Sequence, residues 1–143
     1  MRLSVFSRSV AGLSRLIQKP CKQNIIHYKG KNPARASNEK DLQRFLLNSP
    51  PEPFSKLEAH EWFVEDGKSH LGVGDLVFKN PQTNSFVVIE TKYIKKNPSK
   101  RFKKVTEQAH YYAKMWKARH PEATVYFAYF TNVSGLVKVG KHA

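Results

Sequence analysis

The sequence predicts an α/β fold in which helices cover a mixed sheet, and three observations predict it. The runs Leu76-Val-Phe78, Phe86-Val-Val-Ile89 and Thr124 to Phe130 are short, apolar and rich in β-branched or aromatic residues, as strands are. Two other stretches repeat apolar residues at helical spacing, Leu42-Phe45-Leu46 and Val105-Ala109-Tyr112-Trp116. Read along the chain, these segments give helix, three strands, helix, then one or two strands.

Each element has its own signal. Asn38 can cap a helix, with Asp41 three residues later as an imperfect capping box. The stop at Ser49-Pro50-Pro51 bounds that helix to about 38–48. Pro50, Pro51 and Pro53 make a stiff connector. Residues 57–65 alternate charged and apolar side chains, as a half-exposed strand does, and Asp66-Gly67 marks a turn. Strands are expected over about 72–79 and 85–94, with Asn80 to Asn84 as the hairpin loop. Phe86 to Ile89 is apolar on both faces, which places this strand centrally. The second helix is expected over about 103–119 and ends before Pro121. Ser134-Gly135 turns into a last short strand.

Composition bounds the function. The 143 residues suffice for one domain with a modest core. No apolar run reaches the roughly 18 residues of a membrane span. The single cysteine, Cys21, excludes an intramolecular disulfide and argues against a cysteine-based zinc site. The six histidines are scattered, with no helix-spaced pair. Net charge is +14, unevenly spread. Residues 1–36 hold eight Lys or Arg and no acid, so the remainder has seventeen against eleven.

That first segment reads as an address. It is rich in Arg and Ser, and Leu3, Phe6, Val10, Leu13 and Ile17 form one helical apolar stripe opposite Arg8 and Arg15. The two arginines interrupt the continuous apolar centre that a secretory signal needs. A mitochondrial transit peptide is expected, cleaved between about residues 15 and 36; a disordered basic tail binding nucleic acid is the other reading. The folded domain is then expected over 37–143.

Charges on the apolar strands carry the chemistry. Asp75 lies in Gly-Val-Gly-Asp-Leu-Val-Phe, and Glu90 and Lys92 follow in Phe-Val-Val-Ile-Glu-Thr-Lys. Strand period two puts Glu90 and Lys92 on one side. Desolvating unpaired charges is costly, so three on such strands call for a task. Two converging carboxylates make a hard-cation site suited to Mg2+ or Mn2+. A neighbouring lysine can position or deprotonate a water, or neutralise charge on a phosphate. The alternative is a cross-strand ion pair of Asp75 and Lys92.

This pattern resembles the active site of the PD-(D/E)xK nuclease superfamily over about residues 37–132. The resemblance implies a restriction-endonuclease-like α-βββ-α-β core. It implies that Asp75 and Glu90 hold the metal, that the carbonyl of Thr91 adds a ligand, and that Glu39 on the first helix supplies a further acid. Gln108-Ala-His-Tyr-Tyr112 is similar to the Gln-x-x-x-Tyr motif of RecB-like exonucleases, in which the glutamine orders the lysine and a phosphate. Gln108 and Tyr112, four apart, share a helix face. Gly74 stands where many members have Pro.

Lys92, Lys95, Lys96, Lys100, Arg101, Lys103 and Lys104 form an acid-free basic loop next to this site, with Tyr93 and Phe102 interleaved. Phosphate neutralisation and base stacking both fit, and Tyr112 is expected at the same surface. Glu61 is expected to point outward. The expected function is metal-dependent phosphodiester hydrolysis of DNA or RNA in the mitochondrial matrix. The rivals are a catalytically inactive nucleic-acid-binding module on the same fold and a small basic ribonucleoprotein component.

Overall fold

A computed structural model describes residues 26–63 and 73–142. The transit-peptide stripe, Cys21 and the Asp66-Gly67 turn lie outside the described residues. The sheet has five strands in sequential order: β1 (Lys56–Phe63), β2 (Val73–Asn80), β3 (Ser85–Lys92), β4 (Thr124–Thr131) and β5 (Gly135–His142). Neighbours are antiparallel except β3 and β4, which run parallel. A parallel pair needs a crossover, and α2 (Pro98–Arg119) supplies it. The other helix, α1 (Glu39–Asn48), precedes the sheet.

The two helices cover opposite sheet faces. Leu42 and Leu46 of α1 pack on Leu76, Phe78, Val87, Ile89 and Phe130. Ala109, Tyr112, Ala113 and Trp116 of α2 pack on Trp62, Val77, Phe86, Val88 and Val125. β3 contributes alternate residues to both clusters and is buried from Ser85 to Thr91, as its two-sided apolar pattern predicts. No helix among the described residues is long and apolar enough to cross a membrane.

Capping fixes α1 where the sequence places it. Asn38 Oδ1 accepts from the Asp41 N–H at 2.9 Å, and Asp41 Oδ2 accepts from the Ser37 N–H at 2.8 Å. By contrast α2 starts earlier than expected. Its N-cap is Asn97, left-handed and without a side-chain cap bond, and Pro98 occupies the first turn. Lys100, Arg101, Lys103 and Lys104 therefore stand on the first turns of a helix, not in a loop.

The expected boundary at 36/37 also moves. Ala36 is buried, Ile26 and Tyr28 pack against the α1-side cluster, and the Tyr28 ring meets Phe130 edge-on at 4.9 Å. His27 forms a β-bridge with Glu52. Residues 26–36 thus belong to the packed unit. A leader could be removed without breaking these contacts only ahead of residue 26.

Candidate active site

The β2–β3 ladder runs from Asn80↔Ser85 to Leu76↔Ile89 and stops there. The next two residues, Asp75 and Glu90, replace it with side-chain bonds. The Asp75 N–H donates to Glu90 Oε2 at 2.9 Å, and the Thr91 N–H donates to Asp75 Oδ2 at 2.8 Å. Backbone donors that a ladder would satisfy are satisfied by carboxylates instead. Thr91 adds its hydroxyl, which donates to Asp75 Oδ2 at 2.7 Å. The remaining oxygens, Asp75 Oδ1 and Glu90 Oε1, take no hydrogen bond from a described residue.

Gly74 has a local reason. A Cβ built there would lie 2.5 Å from the Trp62 indole, so no other residue fits without a shift. Next to Trp62, Glu61 inside β1 has a positive φ of 51°. A non-glycine residue in that region is strained, a feature that gathers at functional sites.

Glu39 and Lys92 meet beside the acids. Lys92 Nζ lies 3.5 Å from Glu39 Oε2, both side chains partly exposed. A cleft of about 670 Å3 opens over Asp75, walled by Glu39, Lys40, Gln43, Glu61, Tyr93 and Lys95. Lys40 Nζ is 3.0 Å from Glu61 Oε2. Past β3, Asn132 clips the exit strand, accepting from the Ile94 N–H at 2.7 Å and donating to its carbonyl at 3.0 Å. This clip holds the start of the basic segment near the site.

The electrostatics are those of a pair short of positive charge. Burial raises the Asp75 carboxyl above its usual range, against the two Thr91 hydrogen bonds, with Glu39 and Glu61 pushing the same way. Burial and then the Asp75 charge push Glu90 further up, with only the Asp75 N–H opposing strongly enough to register. A cation between them would offset both burdens. Two free carboxylate oxygens suit Mg2+, which keeps several waters and needs only one or two carboxylates. Among the described residues no three His, Cys, Asp or Glu side chains converge at metal-binding distance, and Glu39 is drawn to Lys92. The donor set fits a hard cation in chemistry, and its third acid is engaged elsewhere.

Gln108 and Tyr112 reach the same region from α2. The phenol of Tyr112 is raised by burial and by the charges of Glu90 and Asp75, while a hydrogen bond with Gln108 lowers it. Gln108, expected to order Lys92, is exposed on α2, and Lys92 pairs with Glu39. Tyr112 is buried, edge-on to Trp62 at 6.1 Å, so it offers no ring face to a base. Phe102 packs on Tyr129 at 5.6 Å and Tyr93 packs on the α1-side cluster. Both rings are half-buried, and Tyr93 also lines the cleft. Lys95, Lys96, Lys100, Arg101, Lys103 and Lys104 are all exposed, as expected.

The sequence reading missed Lys40 and Gln43 as cleft residues; Glu61 is exposed, as expected, and pairs with Lys40 at the cleft wall. Gln43 sits one position after Leu42 on a helix whose inward face was legible, so a buried polar residue there was a usable signal. No signal announces the left-handed turn at Glu61. Comparison of the chain with protein-family models, with curated proteins and with solved structures finds no match.

Proposed function

We propose that the chain is a metal-dependent nuclease of the PD-(D/E)xK kind that hydrolyses phosphodiester bonds in DNA or RNA, and that it acts in mitochondria. The observation that carries this reading is the meeting of Asp75 and Glu90 where the β2–β3 ladder stops, with Lys92 paired to the neighbouring Glu39. The order helix, three strands, helix, two strands supports the restriction-endonuclease-like reading of the fold.

Asp75 Oδ1, Glu90 Oε1 and the Thr91 carbonyl would hold Mg2+ or Mn2+. The bound ion would supply Lewis acidity and charge neutralisation at the scissile phosphate. Lys92 Nζ, kept in place by Glu39, would orient the attacking water. The exposed cations from Lys95 to Lys104 would take neighbouring phosphates. The acid-free, Arg- and Ser-rich start supports mitochondrial import.

The test incubates the full chain with single- and double-stranded DNA and RNA, with and without Mg2+. Cleavage that needs Mg2+ and disappears in Asp75→Asn is the expected result. Retention of nucleic acid without cleavage by the parent chain would favour the inactive binding module. For localisation, residues 1–25 fused to a fluorescent reporter should reach mitochondria, and Arg8→Glu with Arg15→Glu should leave it outside.

A further inference from the structure

We propose that His60, Gln43 and Thr91 form a one-way hydrogen-bond chain that locks the Asp75 carboxylate in a single orientation, presenting only Oδ1 to the cleft. Gln43 and Thr91 are positioning residues, and the inference rests on the reading of Asp75 as a metal-holding carboxylate.

The contacts are continuous across three elements. His60 Nε2 lies 3.2 Å from Gln43 Oε1, Gln43 Nε2 lies 3.4 Å from Thr91 Oγ1, and Thr91 Oγ1 lies 2.7 Å from Asp75 Oδ2. Proton counting fixes the direction. Asp75 Oδ2 already accepts the Thr91 N–H, so it is an acceptor for the hydroxyl too. The single hydroxyl proton of Thr91 is then spent on Asp75, and Oγ1 can only accept from Gln43. Gln43 must therefore turn its NH2 toward Thr91 and its carbonyl toward His60. That carbonyl accepts, so His60 carries its proton on Nε2. Every donor points toward Asp75.

Burial gives the chain its force. Gln43 is 6% exposed and Thr91 is 4% exposed, so reversing either group would leave a polar atom unsatisfied in a dry setting. A glutamine amide free in solvent could flip at no cost; this one has its orientation dictated at both ends. Two donors converge on Oδ2, so the carboxylate cannot rotate without losing both. Oδ1 is thereby aimed, and it is the oxygen left for a cation. The 3.4 Å step is longer than an ordinary N–H···O bond, so influence should fall from Thr91 to Gln43 to His60.

The experiment compares the full chain with Thr91→Val, Thr91→Ser, Gln43→Leu and the Gln43→Leu/Thr91→Val pair, each checked for an intact thermal transition. Free Mn2+ is counted by electron paramagnetic resonance to give affinity. Losing a group that orients a metal ligand weakens affinity by about ten- to a hundredfold, expected here for Thr91→Val, with Gln43→Leu at the lower end and Thr91→Ser restoring the parent value. The double variant should bind no worse than Thr91→Val, because both changes break one chain. In metal-free protein, Thr91→Val and His60→Phe should each shift the Gln43 side-chain amide signals in 15N spectra. Parent-like Mn2+ affinity in Gln43→Leu, failure of Thr91→Ser to rescue, or additive losses would overturn the chain. Should the parent bind no Mn2+, the metal reading falls, and the metal-free spectra alone decide: unmoved Gln43 signals in Thr91→Val overturn the chain as well.

Discussion

The two ends of the β2–β3 hairpin share a backbone and differ in almost everything else. Toward the turn, Leu76, Val77 and Phe78 face Val87, Val88 and Ile89 in an unbroken ladder, all six fully buried. One residue further on, Asp75 and Glu90 end the ladder, and their carboxylates take the backbone donors that a partner strand would have taken. The first half is an apolar core that any strand pair could use. The second buries two carboxylates whose remaining oxygens take no hydrogen bond from a described residue. Apolar packing and buried charge thus occupy adjacent halves of one hairpin.

The largest effects should separate the halves cleanly. Phe78→Ala should cost about 3–5 kcal/mol, the usual range for emptying a buried aromatic site, and could leave the domain unfolded. Asp75→Asn or Glu90→Gln should do the reverse, abolishing Mg2+ binding and cleavage while leaving the thermal transition intact or higher. Calorimetry with Mg2+ alongside thermal melts of all three variants checks this. An unfolded Glu90→Gln would mean the carboxylates are structural and would dissolve the division.

Next in size is Lys92→Ala. It should keep metal and nucleic acid and lose at least about a hundredfold in cleavage rate, the scale of positioned acid–base and electrostatic groups. The ion pair with Glu39 offers a structural alternative, since an exposed pair contributes little stability. If the variant cuts as fast as the parent, the lysine only steadies Glu39 and the working end is smaller than drawn here.

The apolar half was the more legible of the two. Val105, Ala109, Tyr112 and Trp116 fell on the inward face of α2 as their spacing required, and β3 is central as its two-sided apolar run required. Residue type and strand position singled out Asp75, Glu90 and Lys92, and the resemblance added Thr91 and Glu39; the fold joins Asp75, Glu90 and Thr91 by hydrogen bonds and pairs Lys92 with Glu39. Lys40 escaped because its role depends on how α1 crosses the sheet end, which no local pattern encodes; Gln43 was passed over although a polar residue beside Leu42 on the inward face was a usable signal. The start of α2 escaped although Asn97-Pro98 is a helix-start pair, because the first turns carry charges and no apolar stripe before Val105 except Phe102. Residues 26–36 escaped because basic composition masked Ile26, Tyr28 and Ala36, which pack by long-range contact.

A smaller effect concerns the surface flanking the working end. Exposed lysines that neutralise phosphates release condensed counterions, about one per contact. Replacing Lys100, Arg101, Lys103 and Lys104 by Ala should flatten the slope of log K against log salt by roughly two to four units. Titrations of one oligonucleotide at several salt concentrations measure it. An unchanged slope would place the binding surface away from the first turns of α2.

The smallest effect is on stability itself, and it follows from the charges the hairpin buries. Asp75 and Glu90 have folded-state pKa values raised by burial, and for Glu90 also by Asp75. Above about pH 4, the ordinary carboxylate range, the unfolded chain has released these protons while the folded one still holds them. The folded state then binds more protons, so stability falls as pH rises through the raised values. Each unit by which a folded pKa exceeds its unfolded value is worth about 1.4 kcal/mol. Asp41 and Glu61, lowered by hydrogen bonds from Ser37 and Lys40 respectively, act in the opposite sense and only at lower pH. Denaturant melts of metal-free protein should therefore show stability declining as pH rises above the ordinary carboxylate range. Glu90→Gln should flatten that decline, and so should saturating Mg2+ on the parent chain. A metal-free profile already flat over this window would show that the carboxylates are compensated by something other than a cation, and the charged half of the hairpin would no longer need one.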